Sequence, residues 1–275
     1  MKETTLLIES GRADEHYWRD LWDYRELFLI LAWRDVVVRY KQTVIGIVWA
    51  VLRPFLTMVV FTVIFGTLAK LPSEGRVPYA LMVFAGTLPW YLFSSALSGA
   101  SDSMISNTNL IGKVYFPRII VPAATIVTAL VDFLVSFLIL IGLMLWYRFV
   151  PSWQILMLPF FVVLAVAASL GPGLWLTALN IKYRDFRFVI PFLVQIGLYV
   201  SPVGFSSAIV PEKWRFLYNL NPMVGVIDGF RWCLLDSDSP LYWPGFALSL
   251  VIIGLFLWLG VTRFRQTERA FADLI

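Results

Sequence analysis

A single cysteine, Cys233, and a single histidine, His16, occur in 275 residues. One thiol closes no intrachain disulfide, and so few soft ligands argue against a thiolate or imidazole metal cluster. Cys233 reads as a small buried residue, and His16 as a solvated one in a polar N-terminal tail. Charge is scarce too: Asp, Glu, Lys and Arg make up 15% of the chain, against roughly 25% in soluble domains. There is no G-x-x-x-x-G-K-[ST] phosphate loop. The nearest fragment, Gly112-Lys113, lacks the first glycine and the hydroxyl residue, so ATP is not bound by that route. H-E-x-x-H and G-x-S-x-G are also absent, which removes two common hydrolase motifs. The apolar segments hold Arg53 and Asp132 but no paired carboxylates. An intramembrane hydrolase or proton-driven pump needs more ionisable groups at depth. No repeated ring or filter motif of an ion channel is present. What remains is a transport domain powered from elsewhere.

Hydrophobic residues are abundant instead, at 59%, and several windows of about 18 residues carry almost no charge. This is the pattern of an all-α polytopic membrane protein. Six transmembrane helices are predicted, over 44–69, 79–99, 119–147, 155–179, 188–205 and 242–262. Residues 1–16 form a charged tail without an apolar core, so no cleavable signal peptide is expected. Over 17–43, Trp18, Trp22, Leu29, Trp33, Val36 and Tyr40 recur at spacings of three, four or seven, with charges between them. The uncharged run there is too short to span, and an amphipathic helix lying in the membrane interface is predicted. Residues 263–275 form a charged C-terminal tail.

Two connections stand out. Within 101–118, the stretch NLIGKVYFPR is predicted to form a short amphipathic helix ended by Pro117. Between the last two spans, 219–235 is apolar but broken by Asp228 and Arg231, and too short to cross. It is expected to dip into the membrane and return, a re-entrant segment buried against protein or water. With the N-terminus placed inside, fifteen Lys and Arg fall on cytoplasmic segments and six on outer ones, with Arg53 within span one. That bias predicts both termini in the cytoplasm. The net charge of +4 is then a property of cytoplasmic loops and does not imply nucleic-acid binding. The burst NIKYRDFRF, from Asn180, becomes a cytoplasmic hairpin between spans four and five.

Several of these stretches carry a family resemblance. RYKQTVIGIVWAVLRPF (from Arg39), NLIGKVYFPR (from Asn109), NIKYRDFRFVIPFLVQIGLYVSPV (from Asn180), NLNPMVGVIDGFR (from Asn219) and the closing RFRQTERAFADLI follow one another in order. Together they resemble the permease subunits of type-2 ABC exporters, in particular those that export bacterial O-antigen, capsule or teichoic acid. The similarity runs from about Tyr17 to the end, and Arg53 stands where many relatives have an uncharged residue. The resemblance implies a homodimer of six-helix subunits in the cell inner membrane, paired with two copies of a separate ABC ATPase. That partner would bind ATP and Mg2+; this chain would hold no cofactor or metal and catalyse no reaction. It would move a lipid-linked polysaccharide, on undecaprenyl or another lipid, through a channel at the dimer interface. It also implies an interface helix, a cytoplasmic coupling helix and re-entrant helices at the three places just described. An exporter of a small drug or lipid, or a membrane enzyme of lipid-linked glycan assembly, are the alternatives; a neighbouring ATPase gene argues against the enzyme.

Individual residues follow. For coupling to the ATPase, the candidates are Asn109, Lys113, Tyr115 and Arg118, with Arg184 and Asp185 in the second hairpin. Arg184 and Asp185 are adjacent on a short turn, so one can cap a helix while the other reaches a partner. Aromatics are 16% of the chain, and their faces offer a sliding surface to sugar rings. Candidates for the substrate path are Trp49, Arg53, Phe55, Phe61, Phe192, Tyr199 and Phe205, whereas Trp90 and Tyr91 read as an outer aromatic belt. Arg53 either snorkels to headgroups or meets a substrate pyrophosphate. Asp132 pairs with Arg53 or with a polar neighbour such as Gln195. Asp228 and Arg231, three apart, share a helix face and form a re-entrant gate.

Overall fold

The computed structural model describes residues 17–41, 44–75, 77–114, 116–183, 185–235 and 241–268, with the backbone alone for 44–47. Every regular element among them is helical. Hydrocarbon offers the backbone no partners, and a helix satisfies its own N–H and C=O groups within one segment. The helices are α1 (Tyr17–Asp23), α2 (Arg25–Lys41), α3 (Val44–Phe61, continuing as a π-helical stretch, Thr62–Leu68), α4 (Tyr79–Ser106), the single turn α5 (Thr108–Ile111) and α6 (Ile120–Trp146). There follow α7 (Leu158–Lys182), α8 (Phe186–Val200), α9 (Glu212–Tyr218), α10 (Pro222–Leu235) and α11 (Trp243–Glu268).

Five stretches are long and apolar enough to cross a bilayer: Val48–Leu68, Tyr79–Ser106, Ile120–Trp146, Trp153–Lys182 and Trp243–Glu268. The segment predicted over 188–205 is different. Its helix, α8, stops at Val200 after 15 residues, about 22 Å, short of the roughly 30 Å of bilayer hydrocarbon. The stop has a local cause: Pro202 pushes the residue before it out of the α region, and Ser201 is extended. The second span runs past its predicted end at 99 to Ser106, so the connection to α6 is shorter than expected. The helix predicted at 109–118 is one turn, Thr108–Ile111. It ends at Gly112, a weak helix former. The single helix predicted over 17–43 is broken between Asp23 and Arg25 into α1 and α2. Trp18, Trp22, Leu29 and Trp33 are exposed, whereas Leu31 and Ala32 are buried.

The long α4 is the centre of the molecule. It packs along α6 and α7, and also meets α3, α8 and α10. Leu81 to Leu88 are buried without interruption. A close backbone-to-backbone crossing lies elsewhere, between α7 and α11. A Cβ on Gly260 would stand 2.0 Å from the Gly171 carbonyl oxygen, and one on Gly171 would stand 2.6 Å from Leu257 N. Backbones approach this closely only where small residues permit it, and such packing replaces the hydrophobic drive that lipid removes.

At one end of the molecule α10 lies buried against α4, α7 and α11. It carries Arg231, which is 1% exposed. Its guanidinium donates to the carbonyls of Met82 (3.3 Å), Phe205 (2.9 Å) and Val203 (3.0 Å), and to Glu74 Oε1 (3.3 Å). Glu74 is itself buried. The group therefore joins α10, α4, the turn after α8 and the loop after α3. Gly86 leaves the space: a Cβ there would lie 2.8 Å from Arg231 Nη2. Asp228 accepts from Ser207 Oγ at 2.6 Å, with the Arg231 charge also acting on it. Cys233 is buried beside them in the larger core.

Two expected outcomes follow. Gly260→Val forces α7 and α11 apart and lowers the thermal transition of the detergent-solubilised protein, whereas Gly254→Val, whose Cβ meets nothing within 4 Å, leaves it unchanged. Arg231→Met strands the Glu74 carboxylate and costs about 3–5 kcal/mol, as removal of one partner from a buried pair does. Adding Glu74→Gln restores part of that loss, read as non-additivity in the same melts.

Candidate functional site

A cavity of about 780 Å³ opens between α3, α4, α6 and α8, with Arg39 at the end of α2. Its walls follow helical periodicity. From α4 come Leu88, Tyr91, Leu92, Ser94, Ser95, Ser98, Gly99 and Asp102, and from α6 Ala129, Asp132, Phe133 and Ser136. Trp49, Ala50, Arg53 and Pro54 come from α3, and Pro191, Val194 and Gln195 from α8. The space exists because α4 presents serines and glycine where its other faces carry large apolar residues.

The polar groups are arranged in two sets. Asp132 accepts from the Tyr40 hydroxyl and pairs with Arg39 at 2.5 Å. These partners add to the expected ones, since the Arg53 charge also acts on Asp132: α2 packs on α6 and delivers two donors that sequence distance had hidden. Burial first, and Asp132 second, push the Tyr40 hydroxyl above its usual range, so it remains a donor. The second set ties the helices together. Ser136 Oγ donates to the Ala50 carbonyl (3.1 Å), Thr57 and Tyr91 share a hydrogen bond of 2.8 Å, and Asn180 Nδ2 donates to Asp102 Oδ1 (3.0 Å) and to the Ser101 carbonyl (3.1 Å). Arg53 is exposed to the cavity, and no hydrogen bond or ion pair engages its guanidinium among the described residues. The site thus offers the Arg39 and Arg53 guanidinium groups, the Asp102 and Asp132 carboxylates, several hydroxyls and the rings of Trp49, Tyr91 and Phe133. Among the described residues no group of three His, Cys, Asp or Glu is placed to hold a metal ion.

Of the predicted path residues, Trp49 and Arg53 line this cavity. Phe192 and Tyr199 are exposed on α8, and Phe55 is exposed on α3. Phe61 is buried against Phe65 and Tyr199, and the Phe205 carbonyl serves Arg231. The outer-belt reading of Trp90 and Tyr91 is corrected. Trp90 is 4% exposed and packs on α8, where a Cβ at Gly197 would come within 2.6 Å of its ring. Tyr91 lines the cavity. Ser94, Ser95, Ser98 and Asp102 were missed, although SSALSGASDS, a run of small polar residues in an apolar span, was a legible signal.

The coupling candidates gather at the opposite end from Arg231. Asn109 on α5 and Lys113 in the following turn are exposed. Arg118 is half-buried and donates to Glu268. Asp185 opens α8, yet its side chain makes no capping hydrogen bond and stays exposed. Tyr115, Arg184, the 1–16 tail with His16, and 269–275 lie outside the described residues.

Comparison with known proteins agrees with this picture. The chain is 28% identical over 259 residues to the O-antigen export system permease protein RfbA of Myxococcus xanthus, covering 94% of this chain and 98% of that protein. It is 27% identical to RfbA of Klebsiella pneumoniae, covering 91% and 95%. It is 26% identical to the inner membrane transport permease YadH of Escherichia coli K12, covering 74% and 83%. With residues 26–235 of its 275 matched to the family model, the chain belongs to the ABC-2 type transporter family.

Proposed function

We propose that this chain is the membrane subunit of an ATP-driven exporter that moves a lipid-linked polysaccharide outward across the inner membrane. The observation that carries this reading is coverage. The relatives named O-antigen export permeases align over more than nine-tenths of both chains, whereas the transport permease of E. coli aligns over less. The cavity supports it, because hydroxyls, aromatic edges and a free guanidinium suit a sugar chain joined to a lipid through phosphate. In this reading Arg53 meets the phosphate, and Trp49, with Phe55, Phe61, Phe192, Tyr199 and Phe205 beyond it, marks the path.

The path needs a second wall. Helix α8 buries only Ile190, and of the five long stretches Val48–Leu68 is the least buried. Polar groups of the cavity therefore open beside two uncovered apolar helices, an arrangement that lipid alone would not solvate. A second copy of the chain covers it and places the conduit between the two. α8 would complete a sixth crossing there, with α10 as a re-entrant segment on the outer side and Asp228 and Arg231 in the gate. The exposed tryptophan stripe of α1 and α2 lies in the inner interface. Asn109, Lys113, Tyr115, Arg118, Arg184 and Asp185 then face the cytoplasm, where a pair of ABC ATPases binds ATP and Mg2+ and supplies the work.

The chain is reconstituted with a partner ABC ATPase, and nucleotide-dependent movement of an undecaprenyl-linked glycan is measured. Movement that stops when the ATPase or ATP is omitted is expected; glycan modification without any ATPase would sink the reading. Arg53→Gln is expected to weaken glycan-stimulated ATP hydrolysis about tenfold, the scale of one charge-assisted hydrogen bond, without changing basal hydrolysis. Lys113→Glu reverses a charge on the exposed turn and is expected to lower basal hydrolysis by the assembled complex.

A further inference from the structure

The segment between α4 and α6 is anchored at both of its ends. At the start, Arg34 Nη2 of α2 donates to Asn107 Oδ1 at 2.7 Å. At the finish, Arg118 sits on the last described turn of α11. Its backbone N–H donates to Glu268 Oε1 at 2.7 Å, and its Nη1 to the Glu268 carbonyl at 2.5 Å. These residues are 150 positions apart in the chain. An apolar seam runs beneath the contact, where Ile111, Phe116 and Ile119 pack with Phe264.

A partly buried carboxylate needs donors. Glu268 has the Arg118 backbone N–H, and the Tyr17 hydroxyl and the charges of Arg118 and Arg265 also act on it. Arg265 in turn stacks over the Tyr17 ring at 4.5 Å. The end of α11 is thus joined at once to the turn and to α1. Further along, α11 is fixed to α7 by the Gly171 and Gly260 contact. A displacement of the turn therefore has a second rigid route into the membrane besides α4.

We infer that Glu268 is a positioning residue for coupling. It makes the 107–118 segment and the α11–α7 pair move as one body, so that work delivered at the turn reaches both sides of α4. This rests on the transport reading above, but its geometric half is testable without any glycan.

In the reconstituted complex, spin labels at Val114 and Arg263, both exposed, report the distance between turn and α11. With Glu268 intact, one narrow distance is expected in the nucleotide-free and ATP-bound states alike. In Glu268→Ala the distance is expected to broaden and to differ between the two states. Glycan exported per ATP hydrolysed falls about tenfold, as loss of a charge-assisted contact implies, while the ATPase rate stays within about twofold. Glu268→Gln keeps an oxygen for the Arg118 N–H and restores the single distance and most of the coupling. Parent-like distances and coupling in Glu268→Ala would overturn the inference. So would a loss of thermal stability in Glu268→Ala that leaves the distance single. If Glu268→Ala does not assemble, Arg118→Lys decides: widened distances support the inference, and unchanged ones overturn it. A parent complex that moves no glycan refutes the transport reading alone, since the distance measurement still stands.

Discussion

One buried cation organises one whole end of this protein. A guanidinium in a low-dielectric interior is tolerated only where carbonyls and a counter-charge replace its lost water. Arg231 finds three carbonyls and one carboxylate, and finding them fixes everything that supplies them. Helix α10 cannot rotate without moving that fork. The turn after α8 must present two carbonyls inward, and α4 must carry a glycine where the fork passes. Specificity of arrangement, more than net stability, is what such a buried group contributes.

The opposite end is built differently. Its contacts are hydrogen bonds, exposed at Arg34 and partly buried at Arg118, over an apolar seam between α1, α2, the 107–118 segment and the last described turn of α11. Between the two ends the cavity has unequal walls. α4 and α6 are packed against each other, while α3 and α8 stand largely uncovered. A compartment with two fixed walls and two looser ones can change width without disturbing its core.

The fold class was readable because it rests on long apolar runs, which need no partner to be recognised. The tryptophans of α1 and α2 recur with a local period. Arg53 stood out because a charge in an apolar run is conspicuous. What failed depended on distance or on context. The partner of Asp132 came from α2, 92 residues away, and no spacing rule reaches that far. Trp90 and Tyr91 look alike as a belt, yet one packs on Gly197 and the other turns into the cavity; a rotation of one residue about α4 separates them. Glu74 was overlooked because a loop acid seems solvated until an arginine is known to lie beneath it. The serine run of α4 was overlooked because small residues attract less notice than aromatic ones.

The brevity of α8 has a further consequence for the surrounding lipid. A helix of about 22 Å beside a hydrocarbon layer of about 30 Å is a local hydrophobic mismatch, which a bilayer relieves by thinning or by admitting headgroups and water. For a single copy, before that face is covered, the side that carries α8 is where the bilayer thins, so membrane thickness bears on how readily two copies meet there.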